Sequence, residues 1–174
     1  MRFYAAQGVG LAGMALMFIS FQQNDKKKIL WIQATAAFTF AVHFILLGAP
    51  TGMAMNLVEI PRNLIFARAH KKTRQLVLTC VFITAFMVLG ALTWENLFSL
   101  FPAAAMSIST VVFSLKNPRS IRFCILPVSV LWLAYNILVF SVAGVLTESI
   151  CLASVFIAIF RFDILKRFDK ELKK

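Results

Sequence analysis

A cluster of polar and charged residues interrupts an otherwise apolar stretch in the first half of this chain. Asn56, Glu59, Arg62 and Asn63 are spaced so that an α-helix would place them on one face. The carboxylate of Glu59 and the guanidinium of Arg62 stand one helical turn apart and can form an ion pair. Such side chains can bind a small polar or zwitterionic molecule, or they can bond only to one another and fix the helix against its neighbours.

Two other segments offer groups that could complete such a site. Trp132, Tyr135 and Asn136 share one helical face, and we align them with Thr39 and His43 in the first half of the chain. A deep tryptophan can stack on a ring or simply fill space. The imidazole can carry a coupling proton or serve as a hydrogen-bonded packing group. The predicted substrate-binding residues are Asn56, Glu59, Arg62, Asn63, Thr39, His43, Trp132, Tyr135 and Asn136.

These residues must be positioned by long apolar elements. Seven segments of 18 to 20 residues are almost free of charge, close to the ~20 residues that a helix needs to cross the hydrocarbon core of a bilayer. A charge at mid-membrane costs about 2.5 to 3.5 kcal/mol on insertion scales, so Glu59 and Arg62 should face the interior of a helix bundle. The predicted spans are 3–21, 29–48, 52–69, 76–94, 97–115, 123–141 and 145–162.

The distribution of Lys and Arg predicts how the chain is oriented. Basic residues concentrate in the segments 26–28, 68–74, 116–122 and 161–174. These segments lie between the first and second spans, the third and fourth, the fifth and sixth, and at the end of the seventh. Since Lys and Arg in short loops stay on the cytoplasmic side, we expect the N-terminus outside and the C-terminus inside.

Composition excludes several classes of protein. An apolar content of 60% and a charged content of 14% are not those of an ordinary soluble domain. The net charge of +11 is explained by anionic lipid at the cytoplasmic surface, so we expect the lipid bilayer as a partner and no nucleic acid. The three cysteines lack metal-ligand or disulfide spacing, and no catalytic motif is present. We therefore expect no metal, no cofactor and no enzymatic activity.

The two halves of the chain match each other weakly. His43 aligns with Asn136, Gly52 with Gly144, Asn56 with Glu148, and Arg68 lies near Arg161, with a gap of one or two residues. Glu148 could be a gate partner or a solvated side chain. Because a unit of three spans reverses direction, two such units run parallel only if one further span separates them. We predict one all-α membrane domain over 1–174, with triple-helix bundles at 3–69 and 97–162, a linker helix at 76–94 and a cytoplasmic amphipathic tail at 163–174.

Several motifs resemble the YgjV family of bacterial inner membrane proteins, over nearly the whole chain. They include SFQQ at 20–23, KKK at 26–28, HFILLGA at 43–49, WLAYN at 132–136 and RFD at 161–163, together with Asn56, Arg62 and Asn63. The resemblance implies an inner-membrane location.

More remotely, the three-one-three arrangement is similar to the SWEET and PQ-loop transporters, which implies movement of a small polar solute by rocking of two bundles. The hinge proline of that wider pattern is missing at Phe21 and Gln22, and the Glu59–Arg62 pair is not needed by a sugar path. We therefore expect a secondary transporter for a polar or zwitterionic solute, with a proton-linked step as one option. The alternative is a receptor or scaffold protein that does not transport, and a homo-oligomer is compatible with either.

Overall fold

The computed structural model describes residues 1–69, 72–112, 115 and 118–165, and these residues form helices and turns without a β-strand. A 3-10 turn at Leu97–Ser99 leads into the fifth α-helix, and a π-helical turn at Phe160–Leu165 continues the seventh. The tail predicted at 163–174 lies outside the described residues from 166 onward. The α-helices are α1 Arg2–Phe21, α2 Lys26–Leu47, α3 Pro50–Phe66, α4 Lys72–Leu92, α5 Leu100–Val112, α6 Pro118–Leu138 and α7 Val142–Ile159.

Local sequence explains where the helices start and stop. Asp25 caps α2 because its carboxylate accepts hydrogen bonds from the backbone N–H groups of Lys28 and Lys27, and these bonds lower the pKa of Asp25 below its usual value. Gly48 ends α2 in the left-handed conformation, with φ of 74°. Phe140 takes the same conformation after α6, with φ of 54°, although an aromatic side chain rarely does so. The chain therefore turns tightly at both places and enters the next helix at once.

Each predicted span is found as a helix, but not all of them have the expected length. Five helices are long and apolar enough to cross a membrane by length and composition, namely α1, α2, α4, α6 and α7. Helix α3 has 17 residues and carries the polar cluster, and α5 has 13 residues after its 3-10 turn. The prediction of seven spans is thus confirmed for five of them by these two criteria.

Six of the helices form a closed ring. In order around the ring, α1 packs on α2, α2 on α3, α3 on α5, α5 on α6, α6 on α7, and α7 returns to α1. Helix α4 lies outside this ring, where it packs on α3 and α5 and exposes apolar side chains such as Leu76, Val81 and Leu92.

The helices connect at two opposite ends of the ring. We call the end with the turn 22–25 and the loop 67–69 the basic end, because Lys26, Lys27 and Arg68 lie there. We call the end with the turns 48–49, 93–96 and 139–141 the neutral end. Hydrogen bonds join the helix ends there, including one from Thr51 Oγ1 to the carbonyl of Thr93.

Candidate functional site

A cavity of about 380 Å³ occupies the centre of the ring. All six ring helices contribute to its wall and α4 does not. It extends from the exposed residues Phe21 and Lys26 at the basic end to the buried Gly144 near the neutral end. Its volume falls within the range of about 300 to 1,000 Å³ that is typical of small-molecule sites. Its polar side chains are Lys26, Gln33, Asn56, Glu59, Arg62, Ser109, Ser129, Asn136, Thr147, Glu148 and Cys151.

The guanidinium of Arg62 is hydrogen-bonded to protein side chains. Its Nε donates to Asn63 Oδ1 at 3.2 Å, and one terminal nitrogen donates to Glu59 Oε1 at 2.9 Å and again to Asn63 Oδ1. The other terminal nitrogen donates to Ser109 Oγ and Thr110 Oγ1 of α5. These bonds use all five N–H groups of the guanidinium, so Arg62 fixes α3 to α5 and has no donor left for a ligand.

The neighbours of Arg62 explain how its charge tolerates burial. The side chain is 3% exposed, and the guanidinium carbon lies 5.6 Å from the centre of the Phe86 ring of α4. Asn63 is fully buried between the two charged groups and does not line the cavity. The structural interpretation of the polar cluster therefore applies to Arg62 and Asn63.

Glu59 belongs to both the structural cluster and the cavity. Its Oε1 accepts hydrogen bonds from Arg62 and from Asn63 Nδ2. Its side chain is 17% exposed and lines the cavity, as does Asn56 one turn earlier. Within the described residues, its second oxygen has no hydrogen-bond partner, so this carboxylate can still accept from a ligand.

Glu148 was not among the residues predicted to form the site, and the structure places it in the cavity wall on α7. Glu148 lies close to Ser129 of α6 and to Glu59 of α3. The alignment of Asn56 with Glu148 was the signal that could have identified it, since the face of α3 that carries Asn56 also faces the cavity.

Aromatic rings form one side of the cavity. The ring of Trp132 stacks on that of Phe44, with centres 6.0 Å apart and planes 23° apart, and Phe40 lies beside them. Tyr135 is packed behind this wall, where its hydroxyl accepts a hydrogen bond from the backbone N–H of Gly52 at 2.8 Å. Trp132 therefore lines the cavity, whereas Tyr135 connects α6 to α3.

Asn136 lines the cavity and has an unused acceptor. Its Nδ2 donates to the carbonyl of Trp132 at 2.9 Å. Its Oδ1 is buried beside Gly144 and accepts no hydrogen bond from the residues that the structure describes. A buried acceptor without a donor is costly, so a ligand N–H or O–H group would stabilise this position.

Thr39 and His43 do not line the cavity. Thr39 donates to the carbonyl of Thr35. His43 is fully buried, with Nδ1 2.7 Å from the carbonyl of Ala6 and Nε2 2.7 Å from Ser141 Oγ. Because a carbonyl only accepts, Nδ1 carries the proton and Ser141 donates to Nε2 in the neutral imidazole.

The physical reason for this difference is the helical period. Helix α2 presents Gln33, Ala37, Phe40 and Phe44 to the cavity at steps of three and four residues. Thr39 and His43 each precede one of these phenylalanines by one position, which rotates them by about 100° around the helix axis. Phe40 and Phe44 therefore occupy the place in the wall that was predicted for Thr39 and His43.

Comparison with protein families gives a match over most of the chain. The sequence model of the family Imp-YgjV, described as a bacterial inner membrane protein, matches residues 4–166. The chain belongs to this family. The match includes every residue that lines the cavity, and this member of the Imp-YgjV family is accordingly a bacterial inner membrane protein with several helices able to span the membrane.

Neither the curated proteins nor the solved structures contain a match to the chain. Within the described ranges, no group of three or more His, Cys, Asp or Glu side chains is placed to hold a metal ion.

Proposed function

We propose that this protein is a secondary transporter that moves a small polar or zwitterionic solute across the inner membrane by alternating access. The observation that carries the proposal is the central cavity, to which all six ring helices contribute. It holds two carboxylates and is bordered by Asn136, whose buried amide oxygen accepts no hydrogen bond from the described residues, and it reaches the surface at the basic end. Ionisable residues in membrane helices typically mark solute or proton pathways.

The proposed topology has seven crossings. Helices α3 and α5 cross together with the five longer helices, because they are part of the ring and their polar groups face inward rather than toward lipid. The basic end then faces the cytoplasm, which leaves the N-terminus outside and the C-terminus inside. In this orientation the cavity is open toward the cytoplasm.

The proposed architecture consists of two parallel triple-helix bundles, α1–α3 and α5–α7. Support comes from the cavity wall. Many of its residues form pairs whose numbers differ by 92, with one member on a helix of the first bundle and the other on the equivalent helix of the second. In this register His43 aligns with Tyr135 rather than with Asn136. The pairs in the wall are Met17 with Ser109, Gln33 with Ile125, Ala37 with Ser129, Phe40 with Trp132, Phe44 with Asn136, Asn56 with Glu148, and Glu59 with Cys151.

Two equivalent contacts close the neutral end between the bundles. Tyr135 of α6 binds the backbone N–H of Gly52 at the start of α3. His43 of α2 binds Ser141, whose Oγ in turn accepts from the backbone N–H of Gly144 at the start of α7. Gly52 and Gly144 are also 92 positions apart. An outward-open conformation would break these contacts and close the basic end, as parallel repeats do when one bundle rocks against the other.

Uptake into proteoliposomes tests the transport function. Purified protein is reconstituted and screened with pooled radiolabelled small solutes, with Glu148→Gln as the test variant and Glu95→Gln, outside the cavity, as the matched control. We expect at least one solute to accumulate or equilibrate with wild type and Glu95→Gln, and to do so more slowly with Glu148→Gln. A proton gradient imposed across the same vesicles shows whether transport is proton-linked.

Thiol labelling tests alternating access without a known solute. Cys151 lines the cavity, so it serves as the reporter once Cys80 and Cys124 are changed to Ala. A membrane-impermeant maleimide should label Cys151 from either side of the membrane if both conformations form. Labelling from the basic side alone, together with no transport across a broad panel of solutes, would contradict the proposal and favour a receptor with a one-sided pocket.

A further inference from the structure

The charges in the cavity do not balance. The positive charge of Arg62 is neutralised by Glu59, and all five donors of its guanidinium are bonded within the protein. Glu148 has no such partner, since no Lys, Arg or His among the described residues lies within 4.0 Å of its carboxylate. Lys26, the other cation of the wall, is exposed at the basic end. The deep part of the cavity therefore carries an excess negative charge when Glu148 is ionised.

The polar groups near this charge lie along one face of α6. Ser129, Trp132 and Asn136 follow one another at steps of three and four residues, and all three line the cavity. Glu148 lies close to Ser129, which is one helical turn along α6 from Trp132. Asn136 places its unused Oδ1 one turn further toward the neutral end. A ligand along this face would meet a carboxylate, an aromatic ring and a hydrogen-bond acceptor in that order.

From this arrangement we infer that the cavity binds an organic cation whose ammonium group lies between the Glu148 carboxylate and the aromatic wall of Trp132, Phe40 and Phe44. A cation is attracted by the face of an aromatic ring, most strongly by tryptophan, and the attraction grows when water is excluded. A hydroxyl or N–H group at the other end of the same ligand donates to Asn136 Oδ1. The inference deepens the proposed transport function by naming its substrate class.

The wall argues against other ligand classes. An anion would meet two carboxylates and no available guanidinium, because Arg62 has used its donors. A hydrated metal ion would find Phe40, Phe44 and Trp132 where it needs oxygen ligands. An alkylammonium or quaternary ammonium group is compatible with both the rings and the carboxylate.

Calorimetric titration of the detergent-purified protein tests this inference without requiring transport. The probes are choline and its uncharged carbon isostere dimethylbutanol, which differ in charge but hardly in shape. We expect choline to bind at least about tenfold more tightly than the isostere, since a desolvated charge pair and cation–π contacts favour only the cation. Tetraethylammonium lacks the hydroxyl, so we expect it to bind with an affinity that Asn136→Leu does not change.

Three variants locate the binding. Glu148→Gln removes the charge but keeps the shape, and we expect it to weaken choline binding by about tenfold or more. Trp132→Leu should weaken it by about fivefold through loss of the ring. Glu95→Gln, in the turn outside the cavity, should leave it within about twofold of wild type. Thermal unfolding of each variant shows whether it is folded at the titration temperature.

The outcomes separate this inference from the proposed transport function. Equal affinity for choline and its isostere, or choline affinity unchanged by Glu148→Gln, overturns the organic-cation inference even if proteoliposomes move another solute. Choline binding that depends on Glu148 supports the inference, and if no solute then moves in proteoliposomes, the transport function fails while the binding site stands.

Discussion

Tyr135 and Gly52 are 83 residues apart in sequence, yet the tyrosine hydroxyl lies 2.8 Å from the glycine backbone nitrogen. The contact joins α6 to the first turn of α3 at the neutral end, where a helix N-terminus leaves backbone N–H groups without intrahelical partners. It also requires glycine, because a Cβ at residue 52 would lie 2.9 Å from the rings of Phe44 and Tyr135. This contact between α6 and α3 thus depends on one hydroxyl and one missing side chain.

Tyr135→Phe should weaken the closure of the neutral end. The variant leaves a buried N–H without an acceptor, which costs about 1 to 3 kcal/mol. In the reporter background, Cys151 should then be labelled faster from the neutral side, and the midpoint of thermal unfolding should fall. Tyr4→Phe is the matched control, since Tyr4 is 80% exposed. Unchanged labelling in Tyr135→Phe would show that this contact does not hold the two bundles together.

Arg62→Met should be among the most destabilising substitutions in the cavity wall. It leaves the partly buried Glu59 carboxylate without its cation, and breaking such a pair from one side costs about 3 to 5 kcal/mol. The double variant Glu59→Gln with Arg62→Met should recover much of the loss in thermal unfolding, whereas Arg62→Lys should not recover it, since lysine cannot make five directed bonds. A double variant as unstable as Arg62→Met alone would show that the pair is not the source of the effect.

His43→Gln should affect stability more than ligand binding. The imidazole bridges Ala6 of α1 and Ser141 before α7 and does not line the cavity. We expect the free energy of unfolding to fall by about 1 to 3 kcal/mol, which lowers the midpoint of thermal unfolding. The affinity for choline should change by less than about twofold. Any proton-linked transport found with wild type should persist. Loss of proton dependence with the fold intact would instead make His43 the proton carrier.

Two glycine substitutions should have opposite effects. A Cβ at residue 144 would collide with Asn136 and with Ser141 Oγ, so Gly144→Ala must displace the amide that lines the cavity. Gly8 has open space around its Cβ position, and alanine there should stabilise α1 by about 0.5 to 1 kcal/mol. Thermal unfolding and choline titration of the two variants measure the difference. Equal midpoints would mean that Asn136 moves aside at no cost.

The sequence predicted the elements better than it predicted the directions of their side chains. Glu59 and Arg62 could be assigned to the interior because a charge in lipid is expensive whatever the fold. The position of His43 could not be obtained in this way, since a shift of one residue in the alignment between halves moves a side chain by about 100° on a helix. Glu148 lies close to the start of the predicted span 145–162, which suggested a solvated side chain, whereas the packing of α7 on α6 places it in the cavity wall.

The lengths of α3 and α5 also could not be predicted from hydropathy. Apolar runs at 52–69 and 97–115 indicate how far a helix could extend. Pro50 starts α3 before the predicted span and the helix stops at Phe66, while the Asn96 cap begins a 3-10 turn that delays the start of α5 to Leu100. Such local signals compete with tertiary packing, and only the structure shows which one decides.

The position of α4 outside the ring has a consequence for how the chain could be divided. Every helix of the cavity wall comes from residues 1–69 or 97–165, and a single peripheral helix tethers these two stretches. If they were expressed as separate polypeptides, each would still carry its share of the wall. In the proposed topology, α4 crosses the membrane once, so the second stretch enters the membrane in the same direction as the first.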